Sequence, residues 1–109
     1  MSELEDKTTA LLAQLWVKNR PIIEDRLATL DRASAAAASG GLNGDLRKEA
    51  ASTAHKLAGA LGMYGYDEGT QIAREIDALL SSEAPAVAQL AGLVARLRAA
   101  VFPDSAPPN

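Results

Sequence analysis

The only histidine of the chain, His55, lies in the segment STAHKLAGALGMYGYDEG (residues 52–69), where small residues and glycines surround it. A free imidazole side chain has a pKa of about 6.5, so it is largely neutral at pH values near 7. A neutral imidazole has a free nitrogen lone pair and can attack phosphorus as a nucleophile. Because the attack needs an in-line approach, bulky neighbours would obstruct it, and a bare surface around His55 favours this chemistry.

The helical face that carries His55 is predicted to be almost bare. The residues three, four and seven positions away are Ala51, Ser52, Ala58, Gly59 and Gly62. Leu57 lies about 200° around the helix, so the core face is opposite and His55 points outward. Glycine inside a helix costs about 0.5–1 kcal/mol relative to alanine, so Gly59 suggests that a partner approaches closely. The alternative is a solvated surface histidine beside small residues that pack helices together.

Apolar residues at helical spacing predict an all-α fold, an antiparallel four-helix bundle with a short additional N-terminal helix. Pro21 interrupts the first apolar stripe. Either one helix kinks there, or Asn19 caps a second helix whose first turn holds the proline. We favour two helices, Glu3 to Lys18 and Arg20 to Ala38.

Three more helices are predicted after the loop SGGLNGD (residues 39–45). Asp45 is the predicted cap of the first, which ends near Gly62 and Gly65, and Asp67 is the predicted cap of the second. Pro85 suits the first turn of the last helix, which ends near residue 102. The expected domain is therefore residues 1–102, followed by a linker-like tail at residues 103–109.

A second polar residue is predicted to meet the histidine. If the turn between the second and third of the four bundle helices centres near Tyr66, residues 55 and 77 lie level on antiparallel helices. Asp77 sits at the edge of an apolar stripe, next to Ile76. It could accept a hydrogen bond from one imidazole nitrogen and leave the other free. The alternative is a solvent-facing helix charge.

The segment AHKLAGALGMYG (residues 54–65) resembles the phosphorylation motif of histidine-containing phosphotransfer (HPt) domains. The family pattern is a histidine, a leucine two residues on, a glycine four residues on and another glycine ten residues on, which His55, Leu57, Gly59 and Gly65 match. The next segment, GTQIAREIDALL (residues 69–80), looks like the helix that follows the active one. The resemblance implies a helical bundle with His55 as the phosphoacceptor.

One position departs from the family pattern. Many HPt domains carry a lysine three residues after the histidine, where this chain has Ala58. Lys56 is the nearest cation of the motif, and its long side chain could reach a phosphoryl group. It is either a stabiliser of the phosphoryl charge or a flanking surface lysine. The docking surface for a partner is expected to include Ser52, Ala58, Gly59 and Gly62.

Composition and missing motifs narrow the function. With a net charge of -3, the chain gives no electrostatic case for nucleic acid, and no apolar run is long enough for a membrane span. The acidic, polar N-terminus is not a secretory signal, so a cytoplasmic location is expected. No phosphate-binding loop GxxxxGK[ST] is present, so the chain should not phosphorylate itself from ATP and is not expected to be an enzyme. No cofactor or metal is expected either, since the resemblance implies that the Mg²⁺ needed for phosphoryl transfer belongs to the receiver domain of a partner protein.

The resemblance implies a phosphorelay intermediate. His55 would accept a phosphoryl group from an aspartyl phosphate on a receiver domain and pass it to another receiver. Two alternatives remain open: the dimerisation and phosphoacceptor helix pair of a sensor histidine kinase, and a helical docking module that is never phosphorylated. In sensor kinases an acidic residue usually follows the histidine, and Lys56 contradicts that pattern. The N-terminal helices also fit a monomer better.

Overall fold

Four α-helices follow one another in the computed structural model, which describes residues 3–82 and 87–103. They are α1 (Glu3–Ala38), α2 (Gly44–Met63), α3 (Asp67–Ser81) and α4 (Leu90–Val101), with one turn of 3₁₀ helix at Val87–Gln89 before α4. α2 packs most extensively against α3, while α4 packs against both α3 and α1. The all-α fold and the antiparallel four-helix bundle are confirmed. Within the described ranges, no helix combines the length and the apolar character that crossing a bilayer requires.

The first helix is one continuous element, so the prediction of a separate N-terminal helix is wrong. α1 has 36 residues and contains Pro21 in its interior. A proline there removes one backbone hydrogen bond and costs about 3 kcal/mol. Packing on both sides of it offsets this cost: Trp16 is half-buried before the proline, and Ile23 and Leu27 are buried after it. Asn19 caps no helix, because its side chain donates to Tyr64 instead.

The core lies where the apolar stripes of the four helices meet. Small buried residues such as Ala33, Ala54 and Ala73 let the helices approach closely. The stripes predicted from the sequence therefore supply the core, although several of their end members are only half-buried. The largest fully buried side chains are Ile23, Leu27, Leu30, Leu57, Leu61, Ile76, Leu80, Leu90 and Leu97.

The starts of α2 and α3 differ from the predicted caps. The Oδ1 atom of Asn43 accepts a hydrogen bond from the backbone N–H of Leu46 at 2.8 Å, so Asn43 is the N-cap of α2. Asp45 lies in the first turn instead, where a negative charge favours the helix dipole. Asp67 is likewise the first residue of α3, and its predecessor Tyr66 makes no side-chain capping bond.

The fourth helix is shorter than expected at its start. Its α-helical part begins at Leu90, after the 3₁₀ turn, and Pro85 lies outside the described residues. Phe102 follows the helix and is buried, so the bundle extends at least to this residue. Residues 104–109 of the predicted tail also lie outside the described residues, and the division at residue 102 stays a prediction.

Candidate functional site

His55 and Asp77 meet across the α2–α3 interface. The Nδ1 atom of His55 lies 3.2 Å from Oδ2 of Asp77. An ionised carboxylate only accepts hydrogen bonds, so this contact requires the proton of a neutral imidazole to be on Nδ1. The lone pair of Nε2 is then free. The His55 side chain is 81% exposed, whereas Asp77 is only 28% exposed. The imidazole of this imidazole–carboxylate pair is therefore exposed to solvent, while its carboxylate is mostly covered.

The carboxylate of the pair is itself held in place. The hydroxyl of Ser81, one turn further along α3, donates to Oδ1 of Asp77 at 3.1 Å. The two oxygens of Asp77 thus accept from two different side chains, which restricts rotation of the carboxylate. Ser81 was missed from the sequence, although its spacing of four residues from Asp77 was a usable signal.

Contacts at both ends fix the register of α2 against α3. At one end, Nη1 of Arg47 donates to the carbonyl oxygens of Leu80 and Ser82, at 3.2 and 3.1 Å. Towards the other end, the Thr70 hydroxyl donates to the carbonyl oxygen of Ala58 at 3.4 Å, inside the bundle. The imidazole–carboxylate pair lies between these contacts. Its geometry therefore depends on the whole hairpin and not only on its own exposed hydrogen bond.

An aromatic cluster holds the α2–α3 turn against the rest of the bundle. The ring of Trp16 in α1 lies 5.2 Å from Tyr64, 4.8 Å from Tyr66 and 5.7 Å from Phe102, measured between ring centroids. Nδ2 of Asn19 also donates to the hydroxyl of Tyr64 at 2.8 Å. Aromatic pairs in this distance range add about 0.5–1.5 kcal/mol each beyond the area they bury. The turn is therefore anchored to α1 and to the end of α4.

The exposed side of α2 around the histidine is largely bare. Four residues near His55 are exposed there: Ser52, Lys56, Gly59 and Gly62. We call these four residues and His55 the His55 face. A Cβ atom added at Gly59 would have no neighbour within 4 Å. One added at Gly62 would lie 3.5 Å from Oγ1 of Thr70, an ordinary contact. The backbone beside the imidazole is thus open to an approaching molecule.

Ala58 does not belong to the His55 face. Its side chain is only 7% exposed and is part of the core, because this side of α2 turns towards α3. Ala58 was expected to line an exposed docking surface, and this is wrong because its side chain is buried. A long cationic side chain at this position would emerge at the α2–α3 seam.

Apolar residues extend the exposed surface beyond the glycines. Met63, two turns past His55 on α2, is 57% exposed, and Ile22 on α1 is 49% exposed. Both line a groove of about 220 Å³ between α1 and α2, together with Arg26. These residues were not predicted, because the expected docking surface was limited to the small residues beside the histidine. Their position outside the apolar stripe of their helix was the signal that could have predicted their exposure.

A metal site needs several donor side chains that converge on one point. In the part of the chain that the structure describes, no group of three or more histidine, aspartate or glutamate side chains is arranged to hold a metal ion.

Comparisons with known proteins agree with this geometry. The family model of the Hpt domain matches residues 20–101, which is more than half of the chain. The match includes both members of the imidazole–carboxylate pair and leaves out the first half of α1. No curated protein and no solved structure matches the chain. The helical bundle, the histidine motif and the family match lead to one conclusion: the chain belongs to the Hpt domain family of histidine phosphotransfer proteins.

Proposed function

We propose that this chain is a phosphorelay intermediate, in which His55 accepts a phosphoryl group from the aspartyl phosphate of one receiver domain and passes it to another. The observation that carries the proposal is the 3.2 Å contact between Nδ1 of His55 and Oδ2 of Asp77 on an otherwise exposed imidazole. For a neutral ring beside an ionised carboxylate, this contact favours a proton on Nδ1 and so supports Nε2 as the nucleophile. The Hpt family match supports a phosphotransfer role.

The transfer step follows from the position of the proton. The lone pair of Nε2 attacks the phosphorus, a nitrogen–phosphorus bond forms, and the oxygen–phosphorus bond to the receiver aspartate breaks. The bonding electrons leave with the receiver carboxylate. The ring becomes more positive during the attack, and the carboxylate of Asp77 stabilises the Nδ1–H that carries part of this charge. Transfer to the next receiver reverses these bond changes.

The His55 face is the proposed docking surface for receivers. Ser52, Gly59 and Gly62 leave the backbone uncovered on either side of the imidazole, so a receiver can bring its aspartate into line with Nε2. Lys56, which is exposed on the same helix, supplies a cation to the phosphoryl group. Because this interaction is exposed, we assign it a modest strength of about 0.2–1 kcal/mol.

The direct test uses phosphorylated receivers from the same genome. The wild-type chain should become labelled, and the label should be lost in acid and kept in base, as expected for phosphohistidine. His55→Gln should remove the label while circular dichroism shows an unchanged helical fold, since surface substitutions usually change stability by less than about 0.5 kcal/mol. Undiminished labelling of a folded His55→Gln chain would overturn the proposal.

We also propose that the chain acts as a monomer in the cytoplasm. Each of the helices α1 to α4 packs against other helices of the same chain, and this supports a monomer. A helix pair that dimerises in a sensor kinase would instead need a partner to complete its bundle. Sedimentation at micromolar concentration should give the mass of one chain; a stable dimer would favour the kinase alternative.

A further inference from the structure

Phosphorylation of His55 places negative charge next to a carboxylate. A phosphoryl group carries about -1.5 to -2 charges near neutral pH, and Asp77 lies on the other side of the imidazole ring. The site therefore needs a cation, and Ala58, buried at the α2–α3 seam, cannot supply one. Lys56 lies about 100° around α2 from His55, on the side away from Ala58. A positive charge that stabilises the phosphoryl group from the α3 side must therefore come from another residue.

Two contacts between α2 and α3 locate Arg74 near the histidine. Thr70 of α3 meets Ala58, and Asp77 meets His55. Arg74 lies four residues after Thr70 and three residues before Asp77, so it shares their side of α3 to within about 60°. Its Cα therefore lies between the levels of these two contacts. Arg74 is exposed, and helical side chains lean towards the N-terminus of their helix, which here is the Ala58 end of the seam.

The guanidinium of Arg74 is also available to bind a phosphoryl group, unlike those of most arginines of the bundle. Arg47 donates to backbone carbonyls at the end of α3. Three others form the ion pairs Arg20–Glu24, Arg32–Glu49 and Arg98–Asp31. Across residues 3–82 and 87–103, Arg74 forms neither an ion pair nor a hydrogen bond with another described side chain. Its planar guanidinium can give two parallel hydrogen bonds to phosphoryl oxygens.

We infer that Arg74 binds the phosphoryl group on phospho-His55 and supplies, from α3, the cation that position 58 lacks. The inference rests on the proposed phosphorylation of His55. It makes the site a composite of two helices: α2 contributes the nucleophile, and α3 contributes both the carboxylate that orients it and the cation that receives the phosphoryl charge.

The test uses potassium phosphoramidate, a small donor that requires no receiver. Nε2 attacks its phosphorus, the donor nitrogen–phosphorus bond breaks, ammonia leaves and phosphohistidine forms. The initial rate, followed by ³¹P NMR, should fall about 1.5- to 5-fold in Arg74→Ala at low ionic strength, the range of exposed charge pairs. The difference should shrink at high salt, and Arg74→Lys should recover most of the rate. Arg96→Ala, which removes an exposed arginine of α4, is the matched control.

Two failures are distinguishable in this experiment. If the wild-type chain forms no phosphohistidine from phosphoramidate or from receivers, the proposed function fails. If phosphohistidine forms but Arg74→Ala and Arg96→Ala react at the same rate, the role of Arg74 is overturned and the function stands. A slower Arg74→Ala rate that does not depend on salt, with no recovery in Arg74→Lys, would also overturn it, since that pattern indicates a structural effect.

Discussion

Replacing Gly59 with leucine should stabilise the fold and at the same time impair transfer. Gly59 lies in the interior of α2, does not have a positive φ, and has open space where a Cβ would be. Leucine removes the helix penalty of glycine, so the free energy of unfolding should rise by about 0.5–1 kcal/mol. For a domain of this size, that change corresponds to an increase in melting temperature of about 2–8 °C.

The same leucine would stand one turn from the imidazole, where a receiver must approach. We expect transfer from a phosphorylated receiver to slow at least about tenfold, equivalent to about 1.4 kcal/mol of lost docking energy. Phosphorylation by phosphoramidate should change less than about twofold, because that donor is small. The obstruction would then lie in docking and not in the chemistry of His55.

Gly92→Leu is the matched control for this substitution. Gly92 is a helical glycine of α4, is exposed and also has no neighbour within 4 Å of its added Cβ. It should raise stability in the same direction and leave receiver transfer unchanged. Melting curves and rapid-quench transfer assays on both variants would decide the matter. Equal transfer rates in folded Gly59→Leu and Gly92→Leu chains would refute the argument that the bare face is the approach route.

Three further predictions concern the pair, the flanking lysine and the core. Asp77→Ala should slow transfer about two- to tenfold, because it removes one hydrogen bond worth about 0.5–1.5 kcal/mol. The loss of rate should depend little on salt, and it should be smaller in Asp77→Asn, which keeps an acceptor oxygen. Lys56→Ala should slow transfer modestly at low ionic strength only, and an unchanged rate there would make Lys56 a solvated surface charge. Gly69→Leu should lower the free energy of unfolding, measured in urea, by about 1–3 kcal/mol, because a Cβ there lies 3.2 Å from core atoms of Leu61 and Val101; unchanged stability would contradict this packing.

The fold was largely predictable because each helix carries a long apolar stripe. The period of that stripe identifies a helix whatever its neighbours are, so α2 and α3 were found close to their observed bounds and α4 close to its observed end. The break at Pro21 was predicted wrongly because a local signal was weighed without tertiary contacts. The half-buried Trp16 and the buried Ile23 hold the two sides of the proline in one helix. The residues next to the proline in the sequence do not indicate these contacts.

The candidate site was predictable only where sequence distance fixes spatial distance. His55 and Asp77 are joined by a short turn, so counting outwards from Tyr66 places them level, and the structure brings them to 3.2 Å. The burial of Ala58 depends instead on the direction in which α3 packs, which the spacing of one helix does not determine. Exposure of Ile22, likewise, follows from the way α1 lies on α2.

The α2–α3 turn also decides where this chain can change length. It consists of three residues, Tyr64 to Tyr66, and Gly65 adopts a φ of +83° that other residues rarely adopt. One inserted residue continued as helix would turn α3 by about 100° and advance it by about 1.5 Å, which would carry Asp77 away from His55. A change of length in the loop at residues 39–43 would not move Asp77 relative to His55, since this loop connects α2 to α1, which does not contribute to the imidazole–carboxylate pair. Insertions and deletions among relatives should therefore accumulate in that loop, and the spacing of 22 residues between His55 and Asp77 should be invariant.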